Sequence, residues 1–128
     1  MSEARSVLIA DDNSDVRDAL AVALRAEGYR VRAARDAYEA QRVFASSHPD
    51  VVLSDIRMPG DGMMLLRRVH DMSPETPVIL MTAFEQPDDR RQAIAGGAKD
   101  FLVKPVVGER LRSALRRVLD EPASDASE

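Results

Sequence analysis

Four short, nearly continuous apolar runs, at residues 6–10, 51–53, 77–81 and 101–103, punctuate a chain whose remaining apolar residues recur at helical spacing. A fifth run, Tyr29-Arg30-Val31-Arg32-Ala33, alternates between apolar and charged positions as a strand with one exposed face does. Between the runs, residues 14–27 carry Val16, Ala19, Leu20, Ala23 and Leu24 on one helical face, and Gly28 is suited to end that helix. Asp36 reads as the N-cap of a helix through Ala37, Ala40, Val43 and Phe44. Residues 61–72 turn Met64, Leu65 and Val69 inward, and Ser73-Pro74-Glu75-Thr76-Pro77 breaks them off. Residues 88–95 form a short helix ended by Gly96-Gly97, and 109–119 a last one with Leu111, Ala114, Leu115, Val118 and Leu119 inward. Strands such as Val51-Val52-Leu53, with no polar alternation, are covered on both faces. Five strands alternating with five helices, joined by right-handed crossovers, predict an α/β fold with a doubly wound parallel sheet, three layers thick.

Composition adds limits. With 128 residues and 45% hydrophobic content, one domain with one core is expected over residues 1–120. The Pro/Ala/Ser/acidic segment 121–128 reads as a disordered tail or the start of a linker. The sequence does not decide between a single-domain protein and a piece of a longer one. Cysteine is absent, which removes thiol nucleophiles and zinc-thiolate sites. The apolar runs fall far short of the roughly 18 residues of a membrane span, and residues 1–5 have no apolar signal core. A soluble, cytoplasmic protein without membrane contact is expected. The net charge of −4 gives no case for direct nucleic-acid binding, and no helix-turn-helix fits in the pattern.

The candidate chemistry lies at the strand ends. Ligands bind outside the carboxyl ends of the strands in open parallel sheets. Asp11-Asp12 closes the first run, Asp55 the third, Thr82 the fourth and Lys104 the fifth. In that order, with Met58-Pro59-Gly60-Asp61-Gly62 behind Asp55, Ala83 after Thr82 and Pro105 after Lys104, the chain resembles a response-regulator receiver domain of two-component signalling over about residues 6–119. The resemblance implies a flavodoxin-like sheet of strand order 2-1-3-4-5. It implies that Asp55 takes a phosphoryl group from a sensor histidine kinase, and that Asp11, Asp12, Asp55 and the backbone carbonyl of Arg57 hold Mg2+. It also implies that Thr82 and Lys104 grip the phosphate, and that Thr82 and Phe101 form the switch. The domain would then catalyse only its own phosphorylation and slow dephosphorylation. Helix 4, strand 5 and helix 5, around Arg90, Arg91, Phe101, Arg112 and Arg116, would face an output domain, a partner protein or a second copy. The tract Val78-Ile79-Leu80-Met81-Thr82-Ala83-Phe84 resembles receivers attached to enhancer-binding transcription activators.

Elementary chemistry agrees with these roles. Three carboxylates at one edge repel unless cations offset them, and oxygen-only ligands suit a hydrated magnesium ion. A carboxylate nucleophile gives an acyl phosphate, and Lys104 would neutralise charge on the transferred group. Of 18 basic residues only Lys99 and Lys104 are lysines, leaving 16 arginines, so composition alone favours arginine at position 104. A compact ammonium fits a crowded phosphate site better than a planar guanidinium. A phosphate-ester hydrolase using a phospho-aspartate is the alternative, but the second carboxylate it needs two residues on is Arg57. An interaction module that never takes phosphate is a third reading, against which the full set of Asp11, Asp12, Asp55, Thr82 and Lys104 argues.

Other features read more blandly. His48 and His70 suit solvated or capping roles. Asp15, Asp18, Glu27 and Asp36 are surface charge, and Arg110, Arg112, Arg116 and Arg117 form a solvated face or a partner surface. Phe101 serves equally well as plain core packing and as a switch. The resemblance to receivers also implies that Arg57 and Phe84, two residues after Asp55 and Thr82, flank the path of hydrolytic water.

Overall fold

A computed structural model describes residues 4–120, so the segment 121–128 lies outside the described residues. The elements run β1 (Ser6–Ala10), α1 (Ser14–Ala26), β2 (Arg30–Ala34), α2 (Ala37–Ser47), β3 (Val51–Asp55), α3 (Gly62–Met72), β4 (Val78–Thr82), α4 (Asp89–Ala95), β5 (Asp100–Val103) and α5 (Gly108–Asp120). The five strands form one sheet in the order β2-β1-β3-β4-β5, and every neighbouring pair is parallel. The doubly wound, three-layer expectation and its strand order therefore hold.

Alternation along the central strands divides the core into two. Leu8, Val52 and Leu80 face α2, α3 and α4, where Phe44, Leu65 and Ala93 meet them. Val7, Ile9, Leu53 and Ile79 face the opposite way, against Leu20 and Leu24 of α1 and Leu111 and Leu115 of α5. Each such side chain contributes roughly 1.5–3 kcal/mol on burial, which is why the central strands tolerate no polar alternation. Local signals set the helix starts. Asn13 accepts from the Val16 N–H at 3.1 Å and Asp36 from the Glu39 N–H at 2.8 Å, each satisfying a donor the helix cannot.

Several details differ from the sequence reading. On α1, Ala19 and Ala23 are exposed while Ala21 is buried. The two exposed alanines, with Val16 and Leu20, wall an apolar groove of about 390 Å³ whose other side is Pro105 and Val106. On α3, Leu66 is buried and Met64 only half-buried, because a wider stripe than one face packs between α2 and the sheet. β2 starts one residue later than expected, with Tyr29 packed against the core as the turn out of α1, and β4 extends to Thr82. The outer strand β2 carries Arg30 and Arg32 exposed. At the opposite edge, Asp100 of β5 pairs with Arg117 of α5. Among the described residues, no helix is long and apolar enough to cross a membrane.

Candidate functional site

At the end of β1 the chain turns into α1, and Asp11 is fixed before that turn. Its N–H donates to the Ala34 carbonyl of β2 at 3.1 Å, and its Oδ1 accepts from the Asn13 N–H at 2.9 Å. The side chain is fully buried, whereas Asp12 next to it is exposed. Asp55 closes β3, 7% exposed, with the Arg57 N–H donating to its Oδ1 at 3.3 Å. The loop behind it is drawn tight: the Asp61 N–H donates to Met58 and the Gly62 N–H to Ile56, both at 2.8 Å. A Cβ on Gly62 would lie 2.1 Å from the Asp55 carbonyl oxygen and 2.8 Å from Ile56 Cα, so only glycine lets α3 start against the end of β3.

From β5, Lys104 reaches back across the sheet edge. Its Nζ donates to Asp11 Oδ2 at 2.7 Å and to Asp55 Oδ2 at 3.2 Å, while its backbone N–H donates to the Thr82 carbonyl at 2.8 Å. One ammonium thus stands between two buried carboxylates. Burial pushes the Asp55 carboxyl above the ordinary carboxylate range; Lys104 opposes that rise and Asp11 adds to it. For Lys104, burial disfavours the charge, but the hydrogen bond to Asp11 and the charges of Asp55 and Asp11 outweigh it, and the ammonium's pKa is raised. The cluster holds three carboxylates against one cation, and one oxygen each of Asp11, Asp12 and Asp55 lies within 4.8 Å of the others. All three donors are hard oxygens, and the exposed Asp12 opens the group to solvent. That set fits a divalent cation that keeps part of its water shell.

Residues 7–116 match the family model described as response regulator receiver domain. The chain belongs to the response-regulator receiver family. It is 42% identical over 115 residues to the C4-dicarboxylate transport transcriptional regulatory protein DctD of Pseudomonas aeruginosa, covering 89% of this chain and 25% of that protein. It is 38% identical over 120 residues to the regulatory protein AtoC of Escherichia coli, covering 93% of this chain and 26% of that protein. The receiver therefore spans about a quarter of the length of those curated relatives. Among solved structures, the receiver domain of NtrX from Brucella abortus superposes with a TM-score of 0.84 at 34% identity, covering 91% of this chain and 99% of that one.

The remaining residues named from the sequence take clear places in this receiver. Thr82 is buried at the end of β4, and its hydroxyl donates to the Phe84 carbonyl at 3.1 Å rather than to Asp55. Phe101 lies away from the carboxylates with its ring inward, 2% exposed, in the core of the α2–α3–α4 side. Arg90 covers that ring at 4.8 Å and donates to the Phe101 carbonyl at 3.1 Å. Phe84 is 80% exposed. His48 caps the end of α2 in a left-handed conformation, and His70 is exposed on α3. Asp89 was not among the expected residues: it opens α4, is buried, and its two oxygens accept from Arg57 at 2.9 and 3.0 Å, with the Gln86 N–H adding a bond at 2.7 Å. Only its place in the first turn of a helix that follows a catalytic-looking strand end could have singled it out.

Proposed function

We propose that this receiver is a phosphorylation-dependent switch in which Asp55 accepts a phosphoryl group from a phosphohistidine of a sensor kinase. The observation that carries this reading is Lys104 Nζ lying between Asp11 and Asp55 at the open carboxyl edge of the sheet. An Asp55 oxygen attacks phosphorus, the P–N bond to the imidazole breaks, and the imidazole leaves and takes up a proton. Lys104, already charged, is positioned to balance the negative oxygens of the transferred group without a proton transfer. Asp11, Asp12 and Asp55, with the Arg57 carbonyl, would hold Mg2+, which when bound supplies positive charge to those same oxygens. Thr82 offers a hydroxyl donor once it leaves the Phe84 carbonyl.

The output follows from connectivity. Thr82 leads into α4, and Lys104 leads from β5 towards α5, so a change in either side chain reaches the α4–β5–α5 face first. That face would meet an output domain, a partner protein or a second copy of the receiver, in a regulator of transcription in the cytoplasm. The test is incubation with Mg2+ and a small phosphodonor, followed by intact-mass measurement. The parent gains one acid-labile phosphoryl group and Asp55→Asn gains none; a full adduct on Asp55→Asn overturns the assignment. NMR shifts on beryllofluoride binding should centre on α4, β5 and α5, and changes confined to α1 and α2 would contradict the output face.

A further inference from the structure

Asp89 and Arg57 form a bidentate ion pair that plays no part in the carboxylate cluster, yet it is tied to Thr82. Both Asp89 oxygens accept from Arg57 Nη2, and Oδ2 also accepts from the Gln86 N–H at 2.7 Å. The other arm of the guanidinium, Nη1, donates to Thr82 Oγ1 at 3.3 Å. The single hydrogen of that hydroxyl is directed to the Phe84 carbonyl. Thr82 is therefore held from two sides in a conformer whose proton does not serve Asp55. The pair also anchors α4, a helix of seven residues whose N-cap, Asp88, makes no side-chain capping bond.

We propose that Asp89 is a positioning residue which, through Arg57, holds Thr82 in its resting conformer and so opposes switching until Asp55 is phosphorylated. This rests on the reading of Asp55 as the phosphoacceptor. A phosphoryl group on Asp55 adds close to two negative charges on the loop that carries Arg57, and competes with Asp89 for the guanidinium. A pocket of about 530 Å³ lined by Asp12, Arg57, Asp61, Asp89 and Gln92 gives the side chain room to move. Once Arg57 leaves Asp89, Thr82 loses one of its two restraints and the first turn of α4 loses its tie to the loop after β3. The phosphorylated state thus gains its hydroxyl contact and frees an output helix in one rearrangement.

The experiment titrates the 128-residue chain with beryllofluoride in excess Mg2+ by calorimetry. Asp89→Asn keeps the shape and the acceptor for Gln86 but removes the charge that holds Arg57. It is expected to bind about tenfold more tightly than the parent, since a resting state less favoured leaves more of the competent one. Arg57→Gln opens the same pair from the other side and should also gain, though less, because the bound beryllofluoride forgoes the guanidinium; it covers the case of Asp89→Asn failing to fold. In a Thr82→Ala background the gain should shrink to less than twofold, because no hydroxyl remains to be released. Unchanged or weaker binding in both single variants, or the same gain with and without Thr82, overturns the proposal. If the parent takes no beryllofluoride at Asp55, judged against Asp55→Asn, the phosphoacceptor reading fails and this inference falls with it. If the parent binds and the variants do not gain, this inference fails alone.

Discussion

Replacing Lys104 by methionine removes the ammonium from between two buried carboxylates while keeping most of the side chain's bulk. The lysine side chain is 15% exposed, and its partners Asp11 and Asp55 are 0% and 9% exposed. At an effective dielectric of about 20, pairs at 2.7 and 3.2 Å are worth about 6 and 5 kcal/mol before desolvation. Desolvating the ammonium cancels several kcal/mol of that, and Asp55 relieves part of the loss by taking up a proton. A net cost of about 3 kcal/mol follows, at the lower end for breaking a buried pair. For a domain of this size that is a fall of roughly 12 °C in Tm. The assay is thermal and urea unfolding at pH 7.5, first with chelator and then with excess Mg2+. The divalent ion should recover more stability in the variant than in the parent, because it meets a site with one more uncompensated negative charge. The pH dependence has a definite sign. Asp55 has its folded pKa raised, and further so without Lys104, so the folded variant binds more protons than the unfolded chain between the two values. Its stability should rise as pH falls from 7.5 towards the ordinary carboxylate range. Asp89, whose carboxyl the Arg57 hydrogen bond holds low, loses its contribution only as pH falls below the ordinary carboxylate range, outside that window. A loss under about 1 kcal/mol in chelator, equal Mg2+ stabilisation of the two proteins, or no gain on acidification would refute the account.

Four further outcomes are expected. Asp55→Asn should raise the stability of the metal-free protein by about 1 kcal/mol, since its burial and Asp11 disfavour the charge, and should lose most of the Mg2+ stabilisation; chelator and Mg2+ melts would contradict this if the variant were the less stable without metal. Asp12→Ala should stabilise in the same direction but by less, because Asp12 is exposed. Gly62→Ala should cost at least about 3 kcal/mol in urea unfolding, as its Cβ meets backbone that cannot move aside, and a variant as stable as the parent would refute the close approach. Neither Arg57 nor Phe84 is a carboxylate or amide suited to orient hydrolytic water, so the phosphoprotein should decay more slowly than Phe84→Glu or Arg57→Asn variants, and a parent decaying faster than both would reverse the assignment.

The order of elements was legible because apolar runs, glycine stops and acidic caps all pointed the same way. Asp36 as an N-cap and Gly28 just beyond α1 are local signals that need no tertiary knowledge. The convergence of Asp11, Asp12, Asp55 and Lys104 was legible because a parallel sheet brings its carboxyl ends to one edge regardless of separation along the chain. The buried face of α1 was not, since Ala19 and Ala21 have the same hydrophobicity and only the packing of the helix on the sheet decides between them. The partnership of Arg57 and Asp89 was also hidden. Thirty-two positions separate them, both are common surface types, and only the path of the loop after β4 sets one against the other.

The two ends of the sheet deal differently with their unpaired backbone. Arg30 and Arg32 stand along β2, so a second chain laid beside it would have to desolvate charged side chains to complete the ladder. On the far side, β5 is only four residues long and Asp100 is engaged by Arg117. Both borders thus disfavour an added strand, as charged or short edge strands do. Recognition at the α4–β5–α5 face would then run through side chains rather than through an added strand.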